Sequence, residues 1–205
     1  MVKLLVIVRH GDYSGSENDP LSDAGIKQIR NLRKVINAFI EKKFGEKRIA
    51  RIRLSFSHQE RAIQSIQELS FDGEDIVITN LYLTRRSEVR EPRKILEKVM
   101  GIANHYGADV VVIVAHGDMP AVVVETAHEF VTGNKLSALP PVHEACGFIT
   151  DMTTGEVVPI SFDSLEKKKP PQPTVPETGR PVSKGAPRSD RVFRKGGPED
   201  DDIPF

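Results

Sequence analysis

The sequence predicts an α/β fold with three layers, α/β/α, in which helices cover both faces of a mostly parallel sheet. Strand-like and helix-like segments alternate up to about residue 162, which is the pattern of such a sheet. Two segments, Leu4–Val8 and Val110–Ala115, contain only apolar residues, as expected of strands that are buried on both faces. His10 and His116 follow these strands, at the edge of an α/β sheet where ligands bind.

The residues between these two strands carry start and stop signals for helices. Ser22 is placed to be the N-cap of a first helix, and Gly45 is placed to end it. The alternation in Ile52–Phe56 predicts a second strand. Ser57 and Glu60 then match the capping-box pattern, which predicts a second helix that begins at Ser57.

The remaining elements complete the alternation. Residues 75–79, with the sequence DIVIT, predict a third strand. Pro92 suits the first turn of the next helix and Gly107 suits its end. After the strand that precedes His116, residues 145–162 predict a closing hairpin that turns at Thr154–Gly155.

Composition excludes several classes of protein. The 205 residues include 29 basic and 29 acidic ones, so no net field favours nucleic acid or a membrane as partner. Cys146 is the single cysteine, which excludes an internal disulfide framework and predicts a small, buried apolar residue. The first apolar run is too short for a signal peptide, and no stretch approaches the roughly 18 to 20 apolar residues of a membrane span. We therefore expect a cytoplasmic protein with no membrane partner.

The composition changes after residue 162. Residues 163–198 are rich in Pro, Gly, Lys and Arg and have almost no aliphatic side chains. They cannot bury enough apolar surface to fold alone, so we expect a disordered linker. The domains are accordingly interpreted as a folded domain at 1–162, the linker, and an acidic-hydrophobic tip at 199–205. Direct contact of the basic linker with nucleic acid is an open alternative to simple solvation.

Four groups suit the transfer of a phosphoryl group. A neutral imidazole such as that of His10 can attack phosphorus through one ring nitrogen while the other keeps an orienting hydrogen bond. Arg9 offers a guanidinium that matches phosphoryl oxygens, and Arg61 lies in the first turn of a helix, where an anion is also favoured. His116 adds a second imidazole, and Gly11 would let a substrate approach the backbone. We expect these residues to converge at one edge of the sheet.

The motifs around these residues resemble those of the histidine phosphatase superfamily, also called the phosphoglycerate mutase-like fold. VRHGD resembles its RHG signature, and PLSDAGIKQI resembles its L-[ST]-x-x-G-x-x-Q helix start. SFSHQERAIQSI resembles S-S-P-x-x-R-A-x-Q-T, and VVIVAHGD resembles the second histidine motif. The motifs occur in the family's order between residues 2 and about 162. The resemblance implies the α/β/α fold, hydrolysis through a phosphohistidine, and no metal or cofactor.

Residue by residue, the resemblance implies that His10 is the phosphorylated nucleophile. It also implies that Arg9, Arg61 and His116 bind the phosphoryl group. Three further residues are expected to contact substrate: Gly11, Gly117 and His58. His58 stands where the family usually has proline, and such differences at the rim of a pocket change selectivity more readily than reaction type.

The family usually has an acid that protonates the leaving group between its second block and its second histidine. YLTRRSEVREP offers Glu88 and Glu91, of which we favour Glu88, although the usual L-x-E-x-x-x-G-x-W-E-G context is absent and either could be a solvated loop charge. A phosphoramidate nitrogen leaves readily without such an acid, so protein phosphohistidine is one expected substrate class. The short segments between motifs favour an open site for a macromolecular or promiscuous phosphoester substrate and disfavour phosphoglycerate mutase activity.

The last six residues are identical to the acidic tip of bacterial single-stranded-DNA-binding proteins; they are Asp200, Asp201, Asp202, Ile203, Pro204 and Phe205. A terminal aromatic carboxylate fits a small apolar pocket with a basic rim, while the aspartates steer the approach. The resemblance implies repair, recombination and replication enzymes as partners. The DNA-binding β-barrel of those proteins is absent, so we interpret the end of the chain as a mimic of the tip. An engineered fusion and an ordinary solvated acidic end are the alternatives.

These observations support one main hypothesis and one alternative. The main hypothesis is a phosphatase for a phosphorylated small molecule or phosphoprotein, brought to DNA-maintenance proteins by its tip. The alternative is an adaptor whose phosphatase fold binds a phosphorylated ligand without turnover. The physiological substrate, the oligomeric state and the pathway are left open by the sequence.

Overall fold

The computed structural model describes residues 2–16, 18–45, 49–71, 75–78 and 91–164. Glu88, the linker from residue 165 onward and the tip at 199–205 lie outside the described residues. What the sequence predicts for them stays a prediction.

The described residues form six strands in one sheet: β1 (Leu4–Arg9), β2 (Arg51–Ser55), β3 (Asp75–Ile78), β4 (Val110–Ala115), β5 (Cys146–Asp151) and β6 (Val157–Ser161). Their order across the sheet is β3-β2-β4-β1-β5-β6. The first four strands of this order are parallel to one another, whereas β5 is antiparallel to both β1 and β6. The prediction of a mostly parallel sheet with a closing hairpin is confirmed.

Four helices in the described part of the chain cover the sheet: α1 (Asp23–Phe44), α2 (Glu60–Glu68), α3 (Pro92–His105) and α4 (Met119–Thr132). Side chains of β1 alternate between two apolar clusters, because successive residues of a strand point to opposite faces. Leu4 and Val6 pack in the cluster that includes α1 and α2, while Leu5 and Ile7 pack in the cluster that includes α3 and α4. The sheet is therefore buried on both faces, which confirms the three-layer prediction.

The ends of α1 follow the sequence signals, whereas the start of α2 does not. Ser22 is the N-cap of α1 and its hydroxyl accepts from the Gly25 N–H at 3.0 Å, while Gly45 ends the helix at φ 65°. In α2 the N-cap is Gln59, and the Ser57 hydroxyl accepts from the Gln59 N–H at 3.1 Å. The predicted capping box at Ser57 is wrong, because the Ser57 hydroxyl bonds the N–H of Gln59, which is itself the N-cap of a helix that begins at Glu60.

A buried arginine supports α2 from below. Arg53 of β2 is buried beneath this helix, and its guanidinium donates to the backbone carbonyls of Ile66 and Gln67. A cation is favourable at a helix C-terminus, where the last carbonyls have no partner within the helix. This contact helps to set the position of α2, whose first turn carries Arg61.

Two sequence expectations concern the surface of the fold. Within the described ranges, no helix is long and apolar enough to cross a membrane. Cys146 is a free cysteine, as expected, but it is partly exposed rather than buried. It begins β5 and lines a shallow surface cavity beside Pro140 and Pro141.

Candidate active site

The backbone of His10 is held between the two neighbours of β1. Its N–H donates to the Ala115 carbonyl at 3.3 Å, and its carbonyl accepts from the Ala145 N–H at 2.9 Å. These bonds extend the pairing of β1 one residue past Arg9, and the His10 side chain is only 2% exposed. The backbone of His10 therefore holds the imidazole at the carboxyl edge of the sheet.

The hydrogen bonds of the His10 ring define its tautomer. Nδ1 lies 2.8 Å from the Gly11 carbonyl oxygen, which can only accept, so Nδ1 carries the proton. Nε2 accepts from Nε of Arg61 at 3.3 Å. The ring is thus oriented through Nδ1, and its Nε2 lone pair faces a guanidinium group.

The second predicted histidine meets the first. His116 follows β4, and its ring centroid lies 4.8 Å from that of His10 with the planes inclined by 58°. His116 Nε2 is buried and has no hydrogen-bond partner among the described residues. A buried polar atom left in this way costs free energy, and such atoms concentrate where a ligand binds.

Both imidazoles are neutral at pH 7. Burial lowers the pKa of His10 from its ordinary value of 6.5 to about 4, and the charges of Arg61 and Arg9 act in the same direction. Burial likewise lowers the pKa of His116 to about 3, with His10 and the two arginines contributing. A neutral imidazole is the form that can act as a nucleophile.

Arg61 lies in the first turn of α2 and is 7% exposed. Its guanidinium carbon is 4.2 Å from the centroid of the Tyr13 ring, which is a cation–π arrangement. The same Tyr13 ring contacts His10 edge to face, with the centroids 5.3 Å apart. Sequence reasoning missed Tyr13, since its only signal is an aromatic residue three positions after His10.

Arg9 reaches the same edge and is held by the segment before β5. Its NH1 group donates to the Val142 carbonyl at 3.1 Å, and its NH2 group forms an ion pair with Glu144 at 2.5 Å. Glu144 was not predicted from the sequence, because no motif marks it and the contact joins distant segments.

Motif residues outside the catalytic set hold the loop that follows His10. The Ser65 hydroxyl accepts from the Gly11 N–H at 3.2 Å and donates to the Arg61 carbonyl at 2.7 Å. Two motif glutamines accept from backbone N–H groups of the loop: Gln28 from Asp12 at 3.0 Å, and Gln64 from Leu21 at 2.8 Å. The glutamines of both motifs therefore have a structural role.

The three residues expected to contact substrate, Gly11, Gly117 and His58, differ in burial and packing. A Cβ atom at Gly11 would lie 2.7 Å from the Gly25 carbonyl oxygen, so close packing on α1 already requires glycine there. Gly117 is exposed with φ +50°, and exposed His58 lies near enough for its charge to lower the pKa of His116. Contact of these three residues with a substrate stays a prediction.

Glu91, the alternative to Glu88 as leaving-group acid, lies in another setting. It forms an ion pair with Lys94 at 2.6 Å. It also lines a surface cavity together with Phe130 and Gly133, at the end of α4 that is remote from His116. Within the described ranges, no group of three or more His, Cys, Asp or Glu side chains could hold a metal ion.

The architecture has counterparts among solved structures. No protein-family model matches the sequence, and no curated protein matches it significantly. The protein histidine phosphatase SixA, solved with tungstate, aligns with a TM-score of 0.51 at 18% identity over 79% of this chain and 99% of its own. A mycobacterial hydrolase aligns with a TM-score of 0.51 at 15% identity over 77% of this chain and 96% of its own. A mycobacterial glucosyl-3-phosphoglycerate phosphatase, solved with VO3, has a TM-score of 0.50 at 15% identity, over 77% and 97%.

The described residues therefore have the fold of the histidine phosphatases. At these identities the likeness concerns the fold, so the reaction has to be inferred from the residues of this chain.

Proposed function

We propose that this protein is a phosphatase that hydrolyses a phosphomonoester or a phosphoramidate through a phosphohistidine at His10. The supporting observation is the meeting of two neutral histidines and two arginines at one sheet edge. The His10 and His116 ring centroids are 4.8 Å apart, and Arg61 contacts the His10 ring directly. Oxygen atoms of a phosphoryl group are matched by guanidinium donors.

The reaction begins from an imidazole that is already oriented through Nδ1. Arg61 Nε turns from His10 Nε2 to a phosphoryl oxygen, which releases the Nε2 lone pair. Nε2 attacks phosphorus and the bond from phosphorus to the leaving group breaks. The leaving group takes a proton from Glu88 or, when it is a basic nitrogen, from water. Gly11 holds the Nδ1 proton as positive charge develops on the ring. Water then attacks phosphorus and gives up a proton to the group that donated one in the first step. The P–N bond breaks, and orthophosphate leaves with His10 restored.

The leaving group decides whether an acid is needed. Glu88 is our proposed proton donor for phosphomonoesters. Glu91 is disfavoured, because it pairs with Lys94 and lies at the end of α4 that is remote from His116. A phosphoramidate nitrogen takes up a proton readily and needs neither. The similar structures include a protein histidine phosphatase and a glucosyl-3-phosphoglycerate phosphatase. Protein phosphohistidine and sugar phosphates are therefore the first two substrate classes to test, followed by nucleotides and phosphorylated DNA ends.

The decisive experiment is hydrolysis of an aryl phosphate by the full chain and by His10→Ala. We expect the variant to lose activity and to form no labelled phosphoenzyme on rapid quench. His105→Ala, at an exposed position on α3, is the matched control and should retain both. Retained activity in His10→Ala would exclude this mechanism. A wild-type protein that binds phosphate tightly but forms no phosphoenzyme would instead be the adaptor.

The tip at 199–205 recruits the phosphatase to DNA-maintenance proteins. Residues 200–205 reproduce a sequence that recruits DNA-maintenance enzymes in single-stranded-DNA-binding proteins, and this sequence identity is what supports the proposal. Deletion of Phe205 should weaken binding to a protein that recognises such tips, because the aromatic side chain that fits an apolar pocket is lost. Phe193→Ala, in the linker, is the control. Unchanged binding after the deletion would reject the partner and leave the enzymatic proposal intact.

A further inference from the structure

The guanidinium of Arg9 is engaged by the segment that precedes β5. NH1 donates to the Val142 carbonyl, and NH2 pairs with the Glu144 carboxylate at 2.5 Å. Arg9 Nε is buried without a hydrogen-bond partner among the described residues. The donors that would serve a phosphoryl group on His10 are therefore partly occupied by a carboxylate of the same chain.

The turn that carries Glu144 is tied to the nucleophile. The Cys146 N–H donates to the His143 carbonyl at 3.2 Å, which closes a tight turn around Glu144. Ala145 in this turn has φ +52°, a left-handed conformation that a residue with a side chain rarely adopts. Its N–H donates to the His10 carbonyl at 2.9 Å. The backbone of Glu144 is thus held at a defined position relative to His10.

Positive charge exceeds negative charge around the His10 ring, and the Glu144 carboxylate reduces this excess. Arg9 and Arg61 are cationic and both histidines are neutral at pH 7. The hydrogen bond with Gly11 raises the pKa of His10, and the charge of Glu144 raises it to a smaller extent, which agrees with a position of this carboxylate near the ring. The side chains of Arg9 and Glu144 are 25% and 34% exposed, so solvent screens their attraction only in part.

We infer that Glu144 competes with phosphoryl oxygens for Arg9 and is a specificity-determining residue of the site. Carboxylate and phosphoryl oxygens favour the same guanidinium donors, so the Glu144 carboxylate on NH2 competes with a phosphoryl oxygen for that group. Glu144 lowers the affinity for orthophosphate, and its return to Arg9 assists release of that product. It also disfavours substrates with further negative charge beside the phosphoryl group, such as nucleoside diphosphates. Glu144 has this role only if the site binds phosphoryl groups, as the proposed function requires.

Calorimetric titration of orthophosphate into the full chain tests this role without any turnover. Glu144→Gln keeps the shape and removes the charge, so we expect its Kd for orthophosphate to fall about tenfold, equivalent to about 1.4 kcal/mol. Glu144→Asp keeps the charge and should stay closer to wild type. Glu68→Gln is the matched control, because it removes a carboxylate that pairs with exposed Arg30, and its Kd should not change.

Kinetics provide a second readout that a merely structural role would not move. KM for an aryl phosphate should fall in Glu144→Gln, while kcat should not rise, since slower release of orthophosphate opposes any gain. Glu144→Ala should shift Kd and KM in the same direction, with folding checked by circular dichroism. Unchanged or weaker orthophosphate binding in Glu144→Gln would overturn the inference, and so would failure of every variant to bind it. Failure of the proposed function differs from this, because wild type would then form no phosphoenzyme whatever the variants bind.

Discussion

The two edges of the parallel sheet differ in how deeply they bury polar side chains. At the carboxyl edge His10 and Arg61 are 2% and 7% exposed, and His116 Nε2 has no partner in the described part of the chain. At the amino edge Lys3 and Asp109 pair at 2.7 Å with side chains 52% and 27% exposed. One edge holds polar groups out of water at a cost, whereas the other places them in water beside an opposite charge.

The direction of the helices explains why the carboxyl edge, and not the amino edge, suits an anion. α2 and α4 begin after strands β2 and β4, so their N-termini lie at the carboxyl edge and favour an anion there. The C-terminus of α1 lies at the amino edge, where Lys42 and Lys43 complement it and Lys43 pairs with Asp151. The charge of Lys43 at the amino edge is therefore neutralised locally. At the carboxyl edge Glu144 pairs with Arg9, while buried Arg61 and the two helix N-termini still favour an anion from outside.

The largest expected effect is on activity. Arg61→Gln should lower the rate of aryl phosphate hydrolysis by about 10² to 10³, because one cationic donor to the phosphoryl group is lost. Lys3→Gln, at the amino edge, should stay within about twofold of wild type, since exposed charges contribute little. Steady-state kinetics measure both. Equal activity of the two variants would remove the distinction between the edges.

The next effect concerns packing beneath the site. A Cβ atom at Gly25 would lie 2.0 Å from the Asp12 carbonyl oxygen, whereas one at Gly101 would meet no atom within 4 Å. We expect Gly25→Ala to destabilise the fold by about 3 kcal/mol, since backbone has to move. Gly101→Ala, inside α3, should stabilise it by about 0.5 to 1 kcal/mol through helix propensity. Urea unfolding measures both, and an unchanged midpoint for Gly25→Ala would contradict the packing.

Acid should lower the free energy of unfolding of the protein, through the two histidines at the carboxyl edge. The folded-state pKa values of His10 and His116 are lowered to about 4 and about 3, below the ordinary 6.5 of the unfolded chain. The unfolded state therefore binds more protons below pH 6.5, and stability falls as the pH drops from 6.5 towards 4. The slope is up to about 1.4 kcal/mol per pH unit for each histidine.

Urea unfolding at pH 7.5, 6.0 and 5.0 tests this dependence. His10→Gln should flatten it, and His105→Gln, exposed on α3, should leave it unchanged. A stability that stays level or rises on acidification would mean that the two rings are not held neutral by burial.

The smallest effect is expected at the amino edge. A double-mutant cycle of Lys3→Met and Asp109→Asn should give a coupling free energy below about 1 kcal/mol, because the pair is partly exposed. Added salt should reduce it further. A coupling of several kcal/mol would show that this edge, too, holds charges that water does not screen.

Local signals in the sequence were sufficient for most of the fold. Leu4–Val8 and Val110–Ala115 predicted strands because continuous apolar runs of that length suit a sheet covered on both faces. Ser22 and Gly45 predicted the ends of α1 because capping depends on a few neighbouring residues. The Ser57 capping box failed because the Ser57 hydroxyl bonds the Gln59 N–H, and α2 begins two residues later than the pattern predicted.

The sequence alone determined which chemical groups end the strands, since a motif such as Arg9-His10-Gly11 is written in neighbouring residues. Only the tertiary structure decided what those groups meet. Tyr13 beneath Arg61 and Glu144 on Arg9 depend on how loops and strand ends converge, and no local pattern records such contacts. The physical reason is that secondary structure follows from short-range sterics and burial, whereas the electrostatics of a site are set by residues brought together from distant parts of the chain.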